Sequence, residues 1–171
     1  MKKEIIAFFI FVFLLISIVI SVAQTDAPQL VKPGIKPGNL LYRLDLWIET
    51  LQLGLSGQGP PRARMYIYFA EERLSEAKAL LDENKNDRLI ELITIYEDYI
   101  ANANLEIAKA KKFNLDTTTI TKEMDIAIDK QVIALEYILE KSPDSAKPAI
   151  QKALDNAKNN SAQLKTQNKK E

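Results

Sequence analysis

Three pairs of carboxylates lie one helical turn apart, and their spacing could support acid–base chemistry. The pairs are Glu72 with Glu76, Asp125 with Asp129, and Glu136 with Glu140. Two neighbouring carboxyl groups act as acid and base when a dry cleft separates their pKa values. Such pairs on polar helix faces are normally solvated instead. We therefore expect no catalytic residue and do not expect an enzyme.

The chain contains no cysteine and no histidine. It therefore lacks thiol chemistry, disulfides, the usual general base, and the Glu-x-x-His pairs of bundles that hold two metal ions. The turn from Asp82 to Asp87 begins like a calcium loop. However, Asp87 stands where that loop needs glycine, and Ile93 stands where it needs glutamate. We expect neither a metal nor a cofactor.

Arg64, Tyr68 and Tyr99 are the candidate contacts for a partner. Tyr66 and Tyr96 lie on apolar stripes and are expected to be structural, whereas an exposed pair of Tyr68 and Tyr99 would form an aromatic patch. Basic and acidic residues both number 23, so the chain has no long-range field that would favour nucleic acid. We expect a protein partner or self-association, and no nucleic acid.

Arg73 lies beside Leu74 at the edge of an apolar stripe, three residues before Glu76. A guanidinium at that position should bury its stem and pair with a carboxylate. Glu49 in the first predicted helix and Glu97 in the third are the two candidate partners. The role predicted for Arg73 is structural.

Glycine and proline, which interrupt helices, are absent from a long part of the chain. The five glycines all lie between Gly34 and Gly59, and neither residue type occurs from Arg62 to Ser142. A run of this length, rich in Ala, Leu, Ile, Glu and Lys, predicts helices. The expected fold is all-α, with a short N-terminal helix packed against an antiparallel bundle of four longer helices.

Apolar residues recur at steps of three and four in every predicted helix and mark the face expected in the core. In the first helix, with Tyr42 and Trp47 as large anchors, they are Leu40, Leu41, Leu44, Trp47, Ile48 and Leu51. In the next two they are Tyr66, Ala70, Leu74, Ala77 and Leu81, then Leu89, Ile93, Tyr96, Ile100, Ala103, Ile107 and Ala110. In the last two they are Ile120, Met124, Ala127, Gln131, Ala134 and Ile138, then Ile150, Ala153, Leu154 and Ala157.

Gln131 is the polar residue within the fourth stripe. A hydrogen-bonded core amide that sets the helix register is the favoured interpretation. The alternative is a ligand contact inside the bundle. In the last helix, Pro148 would bend the axis unless the helix starts later, at Ser145.

Residues 1–23 predict an export signal. The basic start MKKE precedes an apolar stretch from Ile5 to Ile20, and Ser21-Val22-Ala23 resembles a cleavage site. An uncleaved signal anchor is the alternative, because Ile5 to Ala23 would span roughly 28 Å as a helix. Either form places the body of the protein outside the cytoplasm, and the anchor would also hold it to the membrane.

The remaining chain divides into three parts. Residues 24–38 form a Pro/Gly linker, expected to be a spacer or a loose terminus. Residues 39–158 form the helical bundle domain, with a flexible hinge at 54–61. Residues 159–171 form a polar tail expected to be disordered. Asn159 begins a glycosylation sequon, which matters only in an organism that modifies exported proteins.

Two motifs together resemble a known family. The first is Pro37-Gly38-x-Leu40-Leu41-Tyr42 with Leu44, Trp47, Glu49 and Leu53, and the second is Arg73-Leu74-x-Glu76-Ala77. A weaker similarity follows at Leu135, Leu139 and Ser142-Pro143-Asp144-x-Ala146-Lys147. This pattern resembles DUF5667, a family of exported helical domains of unknown function, over about residues 37–157. The resemblance implies export and a helical bundle, and it implies no activity.

These observations predict an exported, non-catalytic helical module. Its expected role is that of a protein-interaction or structural component of the cell envelope. The alternative is an extracytoplasmic sensor or chaperone-like bundle that binds peptides or unfolded clients in a groove between helices. An exposed apolar groove would favour that alternative.

Overall fold

The computed structural model describes residues 30–168, and that range contains five α-helices and no strand. The helices are α1 (Tyr42–Leu55), α2 (Pro60–Asp82), α3 (Leu89–Lys112), α4 (Thr118–Lys141) and α5 (Lys147–Asn168). The predicted all-α fold is confirmed for this range. The predicted export signal, residues 1–23, and the last three residues of the predicted tail lie outside it.

Helices α2 to α5 form two antiparallel hairpins that lie side by side. The hairpins are α2–α3 and α4–α5, with α2 packed on α4 and α3 packed on α5. Arg64, near the start of α2, bonds to Glu123 near the start of α4, and Tyr137 near the end of α4 donates to Asp82 at the end of α2. The antiparallel arrangement therefore holds within each hairpin, while neighbours from different hairpins run parallel.

The core of the bundle is the set of apolar stripes on α2 to α5. Every residue of the stripes predicted for α3, α4 and α5 is buried, and in α2 only Tyr66 is half-buried. Burial of these side chains supplies the main stabilising free energy of the bundle. Among residues 30–168, no helix combines the length and apolar character needed to cross a membrane.

The limits of the helices follow local chemistry. Asn84 and Asn114, with φ of 57° and 55°, adopt the left-handed conformation just beyond α2 and α3, which asparagine tolerates better than most residues. Helix α5 begins at Lys147, so Pro148 lies in its first turn, where a missing backbone donor costs nothing. The helix thus starts two residues after Ser145, the later of the two predicted starts.

Helix α5 continues to Asn168, and the disorder predicted from Asn159 onward is wrong for this part of the chain. Ser161 Oγ donates to Asp129 Oδ1 of α4 at 2.9 Å, and Leu164 is buried against the core. Lys165 Nζ also donates to Asp129 Oδ1 at 2.8 Å. The buried Leu164 and these two bonds to Asp129 hold the last turns on α4, and the polar composition of the segment did not predict them.

Candidate functional site

A buried ion pair holds α1 on the bundle. Arg73 of α2 is fully buried, and its Nη2 lies 2.6 Å from Glu49 Oε1 of α1. Arg73 Nη1 also donates to the Tyr42 hydroxyl at 3.3 Å, and the Tyr99 hydroxyl of α3 donates to Glu49 Oε2 at 2.7 Å. The predicted pairing of Arg73 with Glu49 is confirmed. Glu97, the other candidate, accepts hydrogen bonds from α5 instead.

Two further carboxylates of α2 face the same guanidinium. Arg73 Nη2 lies 3.1 Å from Glu76 Oε1 and 3.7 Å from Glu72 Oε2. We call Glu49, Glu72, Arg73 and Glu76 the buried charge cluster. One cation among three ionised carboxylates leaves the cluster with an excess of negative charge, which favours protonation of the most buried carboxyl group.

Glu76 is the carboxyl group best placed to keep its proton. It is fully buried, and among the described residues neither of its oxygens has a hydrogen-bond partner. Burial raises the pKa of Glu76 to about 8, although the charge of Arg73 opposes the shift. Both oxygens of Glu49 accept hydrogen bonds, so Glu49 carries the negative charge that balances Arg73. Burial alone would lower the pKa of Arg73, but the negative charge beside it, which Glu49 carries, outweighs burial and raises that pKa.

The segment before α1 lies on α2. The backbone N–H of Val31 donates to Glu71 Oε1 at 3.0 Å, and Ser75 Oγ donates to the Val31 carbonyl at 2.6 Å. Leu30 packs against the core, and Pro37 is buried. From residue 30 onward the linker is therefore not the loose spacer or terminus that its Pro and Gly content predicted.

Gly34 lies directly over the buried charge cluster. A Cβ atom at this position would overlap Glu72 Oε1 and would lie 3.3 Å from Glu76 Oε1. Glycine therefore lets the backbone approach the two carboxyl groups, which closes the cluster from one side.

The opposite side of α1 is apolar and exposed. Its members, which we call the α1 apolar face, are Leu40, Leu41, Leu44, Trp47, Ile48, Leu51 and Leu55. Trp47 is 59% exposed. The prediction that this stripe, with Trp47 as an anchor, packs into the core is wrong; Tyr42 alone of the two anchors is buried.

The reason is the position of Glu49. Successive helical residues are rotated by about 100°. When Glu49 points at Arg73, Trp47 and Leu51, two positions to either side, must therefore point away from the bundle.

The predicted partner contacts do not form one surface. Arg64 donates two hydrogen bonds to Glu123, and Tyr99 is half-buried with its hydroxyl on Glu49. Tyr68 is exposed and contacts Phe69 edge-on. The exposed pair of Tyr68 and Tyr99 is therefore not present. Binding of a partner by Arg64 or Tyr68 stays a prediction.

The other polar residues that the sequence suggested for a site bond to residues of the bundle itself. Gln131 is fully buried and accepts a hydrogen bond from the Tyr96 hydroxyl at 3.2 Å, which agrees with a core amide. Asp129 binds Ser161 of α5, and Glu136 pairs with Lys158 of α5. Within residues 30–168, no group of His, Cys, Asp or Glu residues has the arrangement of a metal site.

An open furrow lies between α3 and α5, with a volume of about 810 Å³. Amide side chains line much of it, namely Asn104, Asn156, Asn159, Asn160 and Gln163. The furrow is therefore more polar than the apolar groove that would suit unfolded clients.

Comparison with known proteins identifies one family and no characterised relative. A family model described as a domain of unknown function, DUF5667, matches residues 34–171. No curated protein and no solved structure matches the chain. The matched range begins at Gly34 and includes α1, the buried charge cluster and all four helices of the bundle.

Proposed function

The chain belongs to the DUF5667 family of domains of unknown function, and we propose that it is an exported, non-catalytic helical module of the cell envelope. In this proposal it acts through its surfaces, as an interaction or structural component. The observation that carries the proposal is the α1 apolar face.

The α1 apolar face is unusual for a surface that contacts only water. Six of its members belong to one helix or the turn before it, and they share one side of that helix: Leu41, Leu44, Trp47, Ile48, Leu51 and Leu55. Contiguous apolar patches on soluble proteins commonly mark contact sites. Full burial of an exposed side chain of this kind contributes roughly 1.5–3 kcal/mol. Most of these side chains are about half exposed, so each would contribute about half of that. A contact at this face therefore has a substantial driving force.

The location outside the cytoplasm rests on the N-terminal sequence. The basic start, the apolar stretch and the small residues at 21–23 are the three parts of an export signal. With or without cleavage, the bundle would lie on the outer side of the membrane, where the α1 apolar face could meet envelope components.

Site-specific photo-cross-linking in the native cell tests the proposal. A photoreactive residue replaces Leu51 in the α1 apolar face or, as the matched control, Ile126, which is an exposed apolar residue of α4. We expect position 51 to cross-link to envelope components and position 126 to give much less product. Protein partners and second copies would appear as discrete adducts.

Two results would contradict the proposal. The first is recovery of the intact chain wholly in the cytosol. The second is equal cross-linking from positions 51 and 126, because the α1 apolar face would then be no more than ordinary surface.

The furrow between α3 and α5 supports a second candidate, an extracytoplasmic sensor of extended peptides. Its amide side chains can both donate to and accept from a peptide backbone. In a peptide-array experiment with the full chain, Ala101→Trp would fill the furrow and abolish binding. Ile90→Trp, an exposed position on the same helix outside the furrow lining, would leave binding unchanged. Equal binding by both variants would remove this candidate.

A further inference from the structure

We infer that the α1 apolar face binds the surface of a lipid bilayer, with α1 lying in the plane of the interface and the bundle above it. The inference rests on the proposed function, because it requires export to an envelope membrane. It names the partner of the face, which the proposed function leaves open.

The charges of α1 suit a lipid surface. Both carboxylates of the helix are turned toward the bundle, since Glu49 is buried and Asp45 is half-buried. Arg43 is the one charged side chain among the exposed residues of α1. Lipid headgroups therefore meet no exposed carboxylate on this helix, and anionic headgroups meet one cation.

The composition of the face also suits the interface. Leucine and isoleucine side chains can enter the boundary between headgroups and acyl chains, where interfacial helices bury their apolar side by about 5–10 Å. Trp47 lies at one edge of this face, beside Leu51. Tryptophan is enriched at the depth of the headgroups.

The path of the chain places the start of the described segment at the level of α2 that binds α1. Val31 bonds to Glu71 and Ser75 of α2. Arg73, which holds α1, lies between these two residues along the helix and points to nearly the opposite side of it. Gly34 lies over the buried charge cluster, so the chain passes from Val31 over the cluster to α1 at one level of the bundle.

The apolar stretch of the sequence ends close to this point. From Ala23 to Leu30 the chain can reach at most about 25 Å. A bilayer that holds the apolar stretch would therefore lie within about 25 Å of Leu30, which starts the segment that leads to α1.

The shape of the face favours lipid over a second copy of the chain. Helix α1 has 14 residues, so it presents a narrow strip about 21 Å long and roughly 10 Å wide. A stable protein interface is a broad patch of complementary shape. A lipid surface needs no complementary shape, and a short helix that is already held in place can bind it.

Trp47 allows a direct test because it is the one tryptophan of the chain. The full chain is reconstituted into phosphatidylcholine vesicles, with and without phosphatidylglycerol, and the vesicles carry acyl chains brominated at defined depths. We expect Trp47 emission to shift to shorter wavelength and to be quenched several-fold more by shallow bromine atoms than by aqueous iodide.

Variants separate this contact from anchoring by the N-terminal segment. Leu44→Ser with Leu51→Ser should return Trp47 to iodide quenching while the chain stays in the vesicles, because only the α1 apolar face has changed. The control, Ile126→Ser with Ile133→Ser, alters two exposed apolar residues of α4 and should leave the quenching unchanged. Circular dichroism verifies that both double variants keep their helices.

Two outcomes would overturn the inference. Trp47 could stay open to iodide and unquenched by brominated lipid in every vesicle. Alternatively, Trp47 could be shielded without lipid, increasingly so at higher protein concentration, which would identify a second copy as the occupant.

The inference and the proposed function fail separately. Cytosolic location of the intact chain defeats the proposed function whatever the vesicles show. Cross-links from position 51 to one envelope protein, without lipid quenching, defeat the lipid inference alone.

Discussion

Arg73 determines which side of α1 faces the bundle. A buried guanidinium without a carboxylate partner costs several kcal/mol, so α1 must offer Glu49 and Tyr42 to it. The sequence predicted both this ion pair and an inward apolar stripe on α1. The two predictions cannot both hold on one helix, because Glu49 and Trp47 lie on nearly opposite sides of it. The ion pair is the one that the structure contains.

Removal of the Arg73 guanidinium tests how much this group contributes to the stability of the fold. Arg73→Ala leaves Glu49 buried without its cation, and we expect the free energy of unfolding to fall by about 3–5 kcal/mol. Urea denaturation measures this loss. An unchanged unfolding midpoint would show that the pairing is unimportant to the fold.

A double variant serves as the control for that loss. Arg73→Met with Glu49→Leu replaces both charges by apolar groups of similar volume. It should recover most of the stability that is lost through Glu49, because Glu49 is then no longer a buried charge without its cation.

The protonation of Glu76 predicts a particular dependence of stability on pH. Folded Glu76 keeps its proton until about pH 8, whereas in the unfolded chain it ionises near its ordinary pKa of 4.5. Between these values the folded state binds more protons, so the free energy of unfolding falls as pH rises and levels off above about 8. Burial also raises the pKa values of Glu49 and Glu72. Their ionisation therefore also lowers the free energy of unfolding as pH rises.

Glu76→Gln isolates this contribution. Glutamine resembles the protonated carboxyl group and does not titrate, so the variant should lose less stability between pH 5 and 8 than the parent. It should also be the more stable of the two at pH 8. Urea denaturation at several pH values measures both curves, and parallel curves for parent and variant would contradict the assignment.

Among the elements, α1 and the segment before it depart most from what the sequence predicted. The stripes of α2 to α5 could be predicted because each helix buries one wide apolar side against two neighbouring helices of the bundle. Helix α1 has one main neighbour, and a single polar contact sets its rotation. Nothing in the sequence predicted the contact of Gly34 with the buried charge cluster. The Pro/Gly composition around it indicated only a linker. The last turns of α5 were missed because Leu164 is an isolated apolar residue in a polar segment.

Two glycines in these elements should respond oppositely to alanine. Gly34→Ala places a methyl group against Glu72 and Glu76, so it should destabilise the protein by about 1 kcal/mol or more. Gly54→Ala adds a methyl group in open space within α1 and should stabilise it by about 0.5–1 kcal/mol. Thermal unfolding compares the two variants. A stabilising Gly34→Ala would argue against close contact between this segment and the cluster.

The end of α5 is tested by Leu164→Ala. Because Leu164 is buried, its truncation should cost about 2 kcal/mol or more. Leu105→Ala, at a half-exposed position of α3, should cost less than about 0.5 kcal/mol. Chemical denaturation gives both values. Equal, negligible losses would mean that residues 159–168 do not pack on the bundle.

At the scale of the whole molecule, the bundle is a scaffold that presents one apolar helix face. The core of α2 to α5 supplies the stability, and the buried charge cluster orients α1 with its apolar side outward. The class of fold and the membership of the family could be predicted from residue patterns. The outward face could not, because it depends on which of two sides of α1 meets Arg73.

The central claim is that this face is open on the isolated protein and covered in the native envelope. The chain has no cysteine, so Leu51→Cys introduces a single thiol into the α1 apolar face, and Ile126→Cys provides the matched control on α4. The measurement is the rate of maleimide labelling of each variant, both purified and in the native envelope. We predict that position 51 reacts rapidly in the purified protein and many-fold more slowly in the envelope, while position 126 reacts alike in both. Slow labelling of position 51 in the purified protein, or equally rapid labelling in the envelope, would contradict the account.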